Sequence, residues 1–516
     1  MQLQDFLTRS AERLPDKTFV VCGGKRFTYA DLDLASSRLA RRLRACGLQR
    51  GDRVAICLEN SFEAVAAIFG ALKADGVFMP INPTTKAEKL LYILNNSRAA
   101  VLVTSAAKLA EVEGLPAAAP SLKWVFCGDG APEAQPALKA EDLGSVLLEG
   151  DGACPPRRNI DIDLAALIYT SGSTGNPKGV MLTHLNMVAA ATSITTYLQN
   201  REDDIILSVL PLSFDYGLYQ VLMAARFGGT VVLERSMAYP YVIIERLIEE
   251  QVTGFPVVPT VLSILFRMDL SQRRFPHLRY VTNTGAALPV AHIRRLRSLF
   301  PHVRLYSMYG LTECKRVAYL PPELVDEIPE SVGHAMPNVE VYIVDESGNR
   351  LPPGQMGELV VRGSNVMKGY WELPEETAKV LRPGPVPGEM VLYTGDLFVM
   401  DERGFLYFRG RRDDLIKSRG EKVSPREVEN VLYSLEGIAD AAVIGAPDPV
   451  LGQAVQAFVS LKDGCRLTER EILRHCAGHL EDFMVPKRVE IRAELPKNPS
   501  GKIDKRRLAA EQSPVE

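Results

Sequence analysis

Residues Asp52–Ser105, DRVAICLENSFEAVAAIFGALKADGVFMPINPTTKAEKLLYILNNSRAAVLVTS, decide the fold class of this 516-residue chain. DRVAICLEN reads as a buried strand, FEAVAAIFGALKADG as an amphipathic helix, VFMPINP as a strand, EKLLYILNN as a helix and AAVLVTS as a third strand. Val65, Ile68, Phe69 and Leu72 share one helical face, as a helix covering a sheet requires. Strands alternating with helices make a βαβαβ unit, and such crossovers imply parallel pairing.

A second series follows residue 200: DIILSVLPL, YGLYQVLMAARFGG, TVVLE, YVIIERLIEEQ, GFPVVP, LRYVTNTG, IRRLRSLF and VRLYSMYG. Two doubly wound units are therefore expected. Between about residues 330 and 410 the texture changes to short alternating strands and turns, the pattern of a small barrel or distorted sheet. A last segment carries a helix (SPREVENVLYSLEG), two strands (DAAVIGAP, AVQAFVSLK) and another helix (TEREILRHCAGHL), enough for a separate α+β domain. The Pro- and Ala-rich stretch 115–158 reads as surface loop and linker. The expected class is α/β: a large N-terminal domain, 1–411, of two βαβ subdomains plus a small distorted β-barrel, and a smaller α+β domain, 412–516.

A chain of this length needs more than one core, and a cleft between cores suits substrate binding. Its 60 basic and 63 acidic residues leave a formal net charge of -3, with neither sign blocked into a long run. Nucleic acid and anionic lipid are poor partners for such a surface. The eight cysteines are scattered without a CxxC pair, which fits reduced thiols and a cytoplasmic compartment better than a disulfide framework or zinc site. MQLQDFLTRS has no secretory pattern, and the longest apolar stretch, Ala64 to Leu72, is roughly half a membrane span. No membrane span is expected.

Leu167 to His184, LIYTSGSTGNPKGVMLTH, carries the chemistry: an apolar strand runs into a loop crowded with Gly, Ser and Thr. Glycines let backbone N–H groups approach phosphate oxygens, Ser171, Ser173 and Thr174 add hydroxyls, and Lys178 adds charge. The GxxxxGK[ST] spacing is absent, so this is no Walker loop. A plain flexible turn is the simpler alternative for any Gly-Ser stretch, but the unbroken small and hydroxyl run Thr170 to Gly175 argues against it.

This loop resembles the phosphate-binding signature of the adenylate-forming (ANL) superfamily, which includes acyl-CoA synthetases, adenylation domains and firefly luciferase. YGLTE (309–313), YTGD (393–396), GRRDDLIKSRGEKVSPREVE (410–429) and PKNPSGKIDK (496–505) are similar to its later motifs, in the same order. The resemblance implies an AMP-forming ligase. A carboxylic acid and ATP give an acyl adenylate and pyrophosphate, and the acyl group then passes to a pantetheine thiol as a thioester.

The resemblance also implies roles. Thr170, Ser171, Gly172, Ser173, Thr174, Gly175 and Lys178 would cradle ATP phosphates, with Gly285 and Ala286 beside the adenine and acyl sites. Glu313 would hold Mg²⁺, Thr312 touch phosphate, Tyr309 stack on adenine and Asp396 bind ribose, with Arg411 a second ribose or phosphate contact. Lys502 would be the catalytic lysine, bridging the carboxylate and the α-phosphate. It lies beyond the domain junction, so the small domain must be a mobile lid that closes over the first. Asp413 would be the hinge for a later rotation that builds a thiol tunnel lined by Gly420. Cys314 reads as a core or pocket thiol, and His184 as either a packing or a catalytic residue.

The acid is less legible. By alignment to the family Asp215, Tyr216, Tyr219, Asn283, Thr284, Met308 and Arg316 line the acyl pocket. The resemblance to amino-acid adenylation domains would have Asp215 bind a substrate ammonium, the reaction of a freestanding enzyme loading a peptidyl carrier protein. Arg316 or a helix N-terminus are alternative partners for the same carboxylate. With no carrier domain after residue 516, the acceptor is expected from outside, as CoA or a phosphopantetheinyl carrier protein.

Overall fold

The computed structural model describes residues 1–511 apart from 113, 131–137, 171–176, 286–287, 419–420, 449–451 and 499–500. The βαβαβ reading holds. Strands Arg53–Cys57, Val77–Pro80 and Val101–Thr104 alternate with helices Phe62–Lys73 and Ala87–Ser97, and the first strand pairs in parallel with both others. Ser61 starts the first helix by accepting from the Ala64 N–H, which satisfies one of the donors every helix leaves open. That helix is buried from Ala64 to Lys73 on every face, not on one. One continuous cluster of apolar side chains runs from the first sheet through it to the second. Lys73 is tolerated there because its ammonium meets Asp33 Oδ1 at 2.7 Å and Ser37 Oγ at 2.9 Å.

Residues 115–158 are not all loop. Trp124–Cys127 and Lys139–Asp142 extend the first sheet in parallel, and Leu143–Leu148 is helical. Four-residue strands carry little periodicity, and Ala and Pro around them masked it.

The second sheet contains Ile205–Ser208, Thr230–Leu233, Gly254–Val257, Tyr280–Asn283 and Arg304–Tyr309 in parallel. Its far edge is supplied by the N-terminal hairpin Thr18–Cys22 and Lys25–Thr28, with Val20 opposite Val231. Asn283 pairs across to Val257 and Ser307, so Thr284, Gly285, Met308 and Tyr309 cluster at the carboxyl ends of neighbouring strands. Ligand crevices in open α/β sheets form at such ends.

Val339–Val344, Met356–Gly363, Leu381–Pro383, Met390–Met400 and Leu406–Arg411 form an antiparallel sheet with register breaks at Glu358/Val360 and Leu397/Phe398, the small distorted unit expected. The C-terminal segment builds its own sheet and helices. Its separate core includes Ile416, Val428, Leu432, Val443, Ile472 and Cys476. No helix among the described residues is long and apolar enough to cross a membrane. All eight cysteines are free.

Candidate active site

The site is built where the second sheet, the distorted sheet and the C-terminal segment meet. Asp396 lies beside the register break that separates Leu397 from Phe398. Its Oδ2 accepts from the Tyr309 hydroxyl at 2.5 Å, and its Oδ1 stands 3.2 Å from Arg411 Nε across the paired strand. Burial pushes the Asp396 carboxyl up, while the Arg411 guanidinium and the Tyr309 hydroxyl pull it back toward the charged form. Tyr309 packs edge-on to Phe398 at 4.8 Å, which fixes its ring.

Glu313 follows four residues after Tyr309. Its Oε1 accepts from the Tyr370 hydroxyl at 2.7 Å, and its backbone carbonyl accepts from the Met367 N–H. Among the described residues Glu313 makes no ion pair. Thr312 lies beside it on the same half-buried turn. Lys178 begins the strand Lys178–Thr183, where its ammonium meets Glu376 Oε2 at 2.5 Å and lies over the Tyr370 ring. Thr170 ends the partner strand Leu164–Thr170. The loop residues Ser171–Gly175 and Ala286 fall outside the described residues.

Lys502 is brought to this cleft by a turn in which Gly501 N–H donates to the Asn498 carbonyl and Lys502 N–H to Asn498 Oδ1. Gly501, at φ +78°, packs so closely that a Cβ there would stand 2.7 Å from Thr260 Oγ1. At Gly285, φ +85°, a Cβ would stand 3.7 Å from Lys502 Cε. The lysine, from the C-terminal segment, therefore reaches the carboxyl ends of the second sheet. Its side chain keeps access to water along the cleft, among the charges of the site. Burial lowers its pKa, opposed by Asp215, Asp396 and Glu313 and reinforced by Arg411. Tyr433 seals the same junction, edge-on to His292 at 5.5 Å. Asp413 sits in the short turn Arg412–Asp414 that leaves the Arg411 strand, and Gly420 is outside the described residues.

The acyl-pocket expectations need one correction. Asp215 opens the helix Asp215–Phe227 but pairs with neither Arg316 nor an open helix end. Its partner is Lys315, a residue the sequence reading passed over: Nζ lies 3.4 Å from Asp215 Oδ2 and donates to the Asp215 carbonyl at 2.8 Å. Burial lowers the Lys315 pKa to about 7, against the pull of Asp215. Arg316 turns the other way, into the core over the Tyr216 ring at 5.4 Å. Tyr216, Tyr219, Met308 and Arg316 are at most 4% exposed, so this wall is closely packed. Tyr216 donates to the Thr282 carbonyl, and Met308 Sδ accepts from Tyr197. Asn283 and Thr284 are buried beside them, and among the described residues Thr284 Oγ1 finds no hydrogen-bond partner.

Two open readings close. Cys314 is fully buried, and burial raises its thiol pKa well above the ordinary value, as befits a core residue. His184 is structural: Nδ1 accepts from Leu3 N–H, Nε2 faces Asn159 Nδ2 at 3.1 Å, and burial lowers its pKa to about 4. Tyr370 was also missed. KGYW carries no signal of its own, because only the fold brings that hydroxyl to Glu313.

The AMP-binding enzyme family model matches residues 7–371, and the AMP-binding enzyme C-terminal domain model matches 427–502. The chain belongs to the AMP-binding enzyme family. This AMP-binding enzyme is 32% identical to a long-chain-fatty-acid–CoA ligase of Bacillus subtilis over 99% of its own length and 94% of the relative's. It superposes on ATP-bound MatB from Rhodopseudomonas palustris with a TM-score of 0.88, 29% identity and 99% of both chains covered. With the anthranilate CoA ligase AuaEII in complex with anthranoyl-AMP the TM-score is 0.90, at 25% identity over 99% and 97% of the two chains. The protein is an AMP-forming acid–thiol ligase, as its motif set implied.

Proposed function

We propose that this ligase condenses a carboxylic acid with ATP in the cleft between Gly285 and Lys502 and passes the acyl group to the thiol of CoA. The observation that carries the reading is the approach of Lys502, from the C-terminal segment, to Gly285 and to the charges of Asp396 and Glu313. A carboxylate resists nucleophiles until its oxygen becomes a leaving group, and attack on the α-phosphate of ATP makes it one. Positioning and charge neutralisation are the catalyst's tasks. Lys502 neutralises the carboxylate and α-phosphate as they meet. Asp396 has a lone pair left on each oxygen for the ribose hydroxyls, with Arg411 beside it. Thr170, Lys178 and the Gly-Ser-Thr loop take the phosphates, Tyr309 the adenine, and Thr312 a phosphate oxygen. The Thr284 hydroxyl, without a hydrogen-bond partner among the described residues, is a further donor at the same strand ends.

Glu313 fits Mg²⁺. A single carboxylate with no ion pair among the described residues suits an ion that takes most of its ligands from phosphate and water. Such an ion supplies charge neutralisation on the phosphates, and Tyr370 holds the Glu313 carboxylate in place for it.

For the second step we take 1–411 as the body, 412–516 as the lid, Asp413 as the hinge and Gly420 as part of the thiol tunnel. CoA is favoured as acceptor by the CoA ligases among the relatives. A carrier protein acting in trans is tested by replacing CoA with a phosphopantetheinylated carrier. The free thiols fit a reducing, cytoplasmic compartment. The test of the reading is acid-dependent exchange of pyrophosphate into ATP across aryl, alicyclic, amino and fatty acids. Lys502→Ala is expected to lower exchange on the order of 10²–10³-fold while acyl transfer from a supplied adenylate persists. A variant with unimpaired exchange would sink the role given to Lys502.

A further inference from the structure

The Asp215–Lys315 pair bears on which acids enter. Asp215 follows Phe214, whose ring would stand 3.3 Å from a Cβ at Gly285, the residue that Lys502 approaches, and Lys502 feels the charge of Asp215. Lys315 donates to its carbonyl at 2.8 Å, lies 3.4 Å from its carboxylate, and sits over the Tyr219 ring at 4.3 Å and the Tyr216 ring at 5.7 Å. A carboxylate, a carbonyl and two aromatic faces are the surroundings a receptor offers an ammonium ion. Here the ammonium belongs to the protein, on a side chain only 4% exposed.

The backbone is shaped to put it there. Lys315 adopts φ +63°, a left-handed conformation that a non-glycine residue keeps only where its surroundings hold it there. The strained turn is pinned by Asn365 Nδ2, which donates to the carbonyls of Cys314 and Arg316. Gly310 accommodates it, since a Cβ at 310 would stand 2.2 Å from the Lys315 carbonyl oxygen. Arg316 adds a second cation, 2% exposed and without an ion pair among the described residues. Among the described residues Lys315 is thus the cation that meets the Asp215 carboxylate.

We propose that Lys315 is a specificity-determining residue: it fills from the protein side the place at Asp215 that an α-ammonium would take, and so restricts the pocket to acids without an α-amino group. The inference rests on the reading of this cleft as the adenylation site. An incoming ammonium finds the carboxylate and carbonyl of Asp215 already engaged by Lys315, which costs several-fold to many-fold in affinity.

The test is pyrophosphate exchange with matched pairs, each carboxylic acid beside its α-amino counterpart. Wild type is expected to favour the acid without the amino group by roughly a hundredfold or more in kcat/KM. Lys315→Met is expected to narrow that ratio at least about tenfold by gaining the amino acid, chiefly in KM, and Asp215→Asn in the same chain to remove the gain. A wild type that uses both members equally, or a ratio unchanged in Lys315→Met, overturns the proposal. If Lys315→Met loses exchange with every acid, Lys315→Ala is assayed with methylammonium. Recovery supports the proposal, and no recovery with ATP binding intact overturns it. A wild type that binds ATP but exchanges with no acid fails the ligase reading itself, and the inference falls with it.

Discussion

Lowering the pH should open the lid through His292. Its ring is packed between Phe266 on its own domain and Tyr433 on the C-terminal segment, at 5.3 and 5.5 Å. Burial lowers its pKa from 6.5 to about 4. Asp440 opposes the shift, while Lys462, Arg426 and Arg295 reinforce it. A base whose pKa is depressed in the closed form favours closure fully above its ordinary pKa and loses that contribution as pH falls from 6.5 toward 4. The whole gap corresponds to about 3 kcal/mol. Phe266 provides part of the burial whether the lid is open or closed, so the share that acts on closure is about half, near 1.5 kcal/mol or roughly tenfold. The assay is pyrophosphate exchange from pH 7.5 to 5 in wild type and His292→Phe, which keeps an aromatic ring but cannot take a proton. Wild type should fall roughly two- to threefold more than the variant across that range, because only part of that contribution is lost by pH 5. Parallel profiles, with both proteins folded at pH 5, would refute the argument.

Tyr370→Phe removes the hydroxyl that holds Glu313. It should raise the magnesium concentration needed for half-maximal exchange about fivefold, a loss of about 1 kcal/mol, with no change in melting temperature; an unaltered magnesium dependence counts against the link. His184→Leu should do the opposite. It strands the Leu3 N–H and the Asn159 amide in the interior, costing about 1–3 kcal/mol, so the melting temperature should fall while kcat holds near wild type; loss of turnover in a stably folded variant would return His184 to the chemistry.

Much of this molecule was legible in the chain because helix and strand periods alternate cleanly in 52–105 and again after 200, and because each motif is local. Gly285, Tyr309, Asp396 and Lys502 were readable one by one, and folding gathers them. What was not legible is what depends on pairing at a distance. Nothing local distinguishes Lys315 from its neighbour Arg316. A left-handed φ at 315 sends one to Asp215 and lets the other turn into the core, and that angle is held by Asn365, some fifty residues on. Tyr370 became a site residue for the same reason. Residues 115–158 were misread because strands of four residues among alanines and prolines have too few turns of pattern to register.

The N-terminal hairpin on the second sheet has a consequence for how the protein is made. Thr18–Cys22 leaves the ribosome early, but the strand it must join, Thr230–Leu233, is translated about two hundred residues later. At about 5–20 residues per second that is a wait of about 10–40 seconds, during which an apolar strand is paired on one edge alone, to Lys25–Thr28. The first sheet can assemble in that interval, and the second cannot. Synthesis therefore presents cellular chaperones with a half-built enzyme whose earliest segment is among the last to find its place.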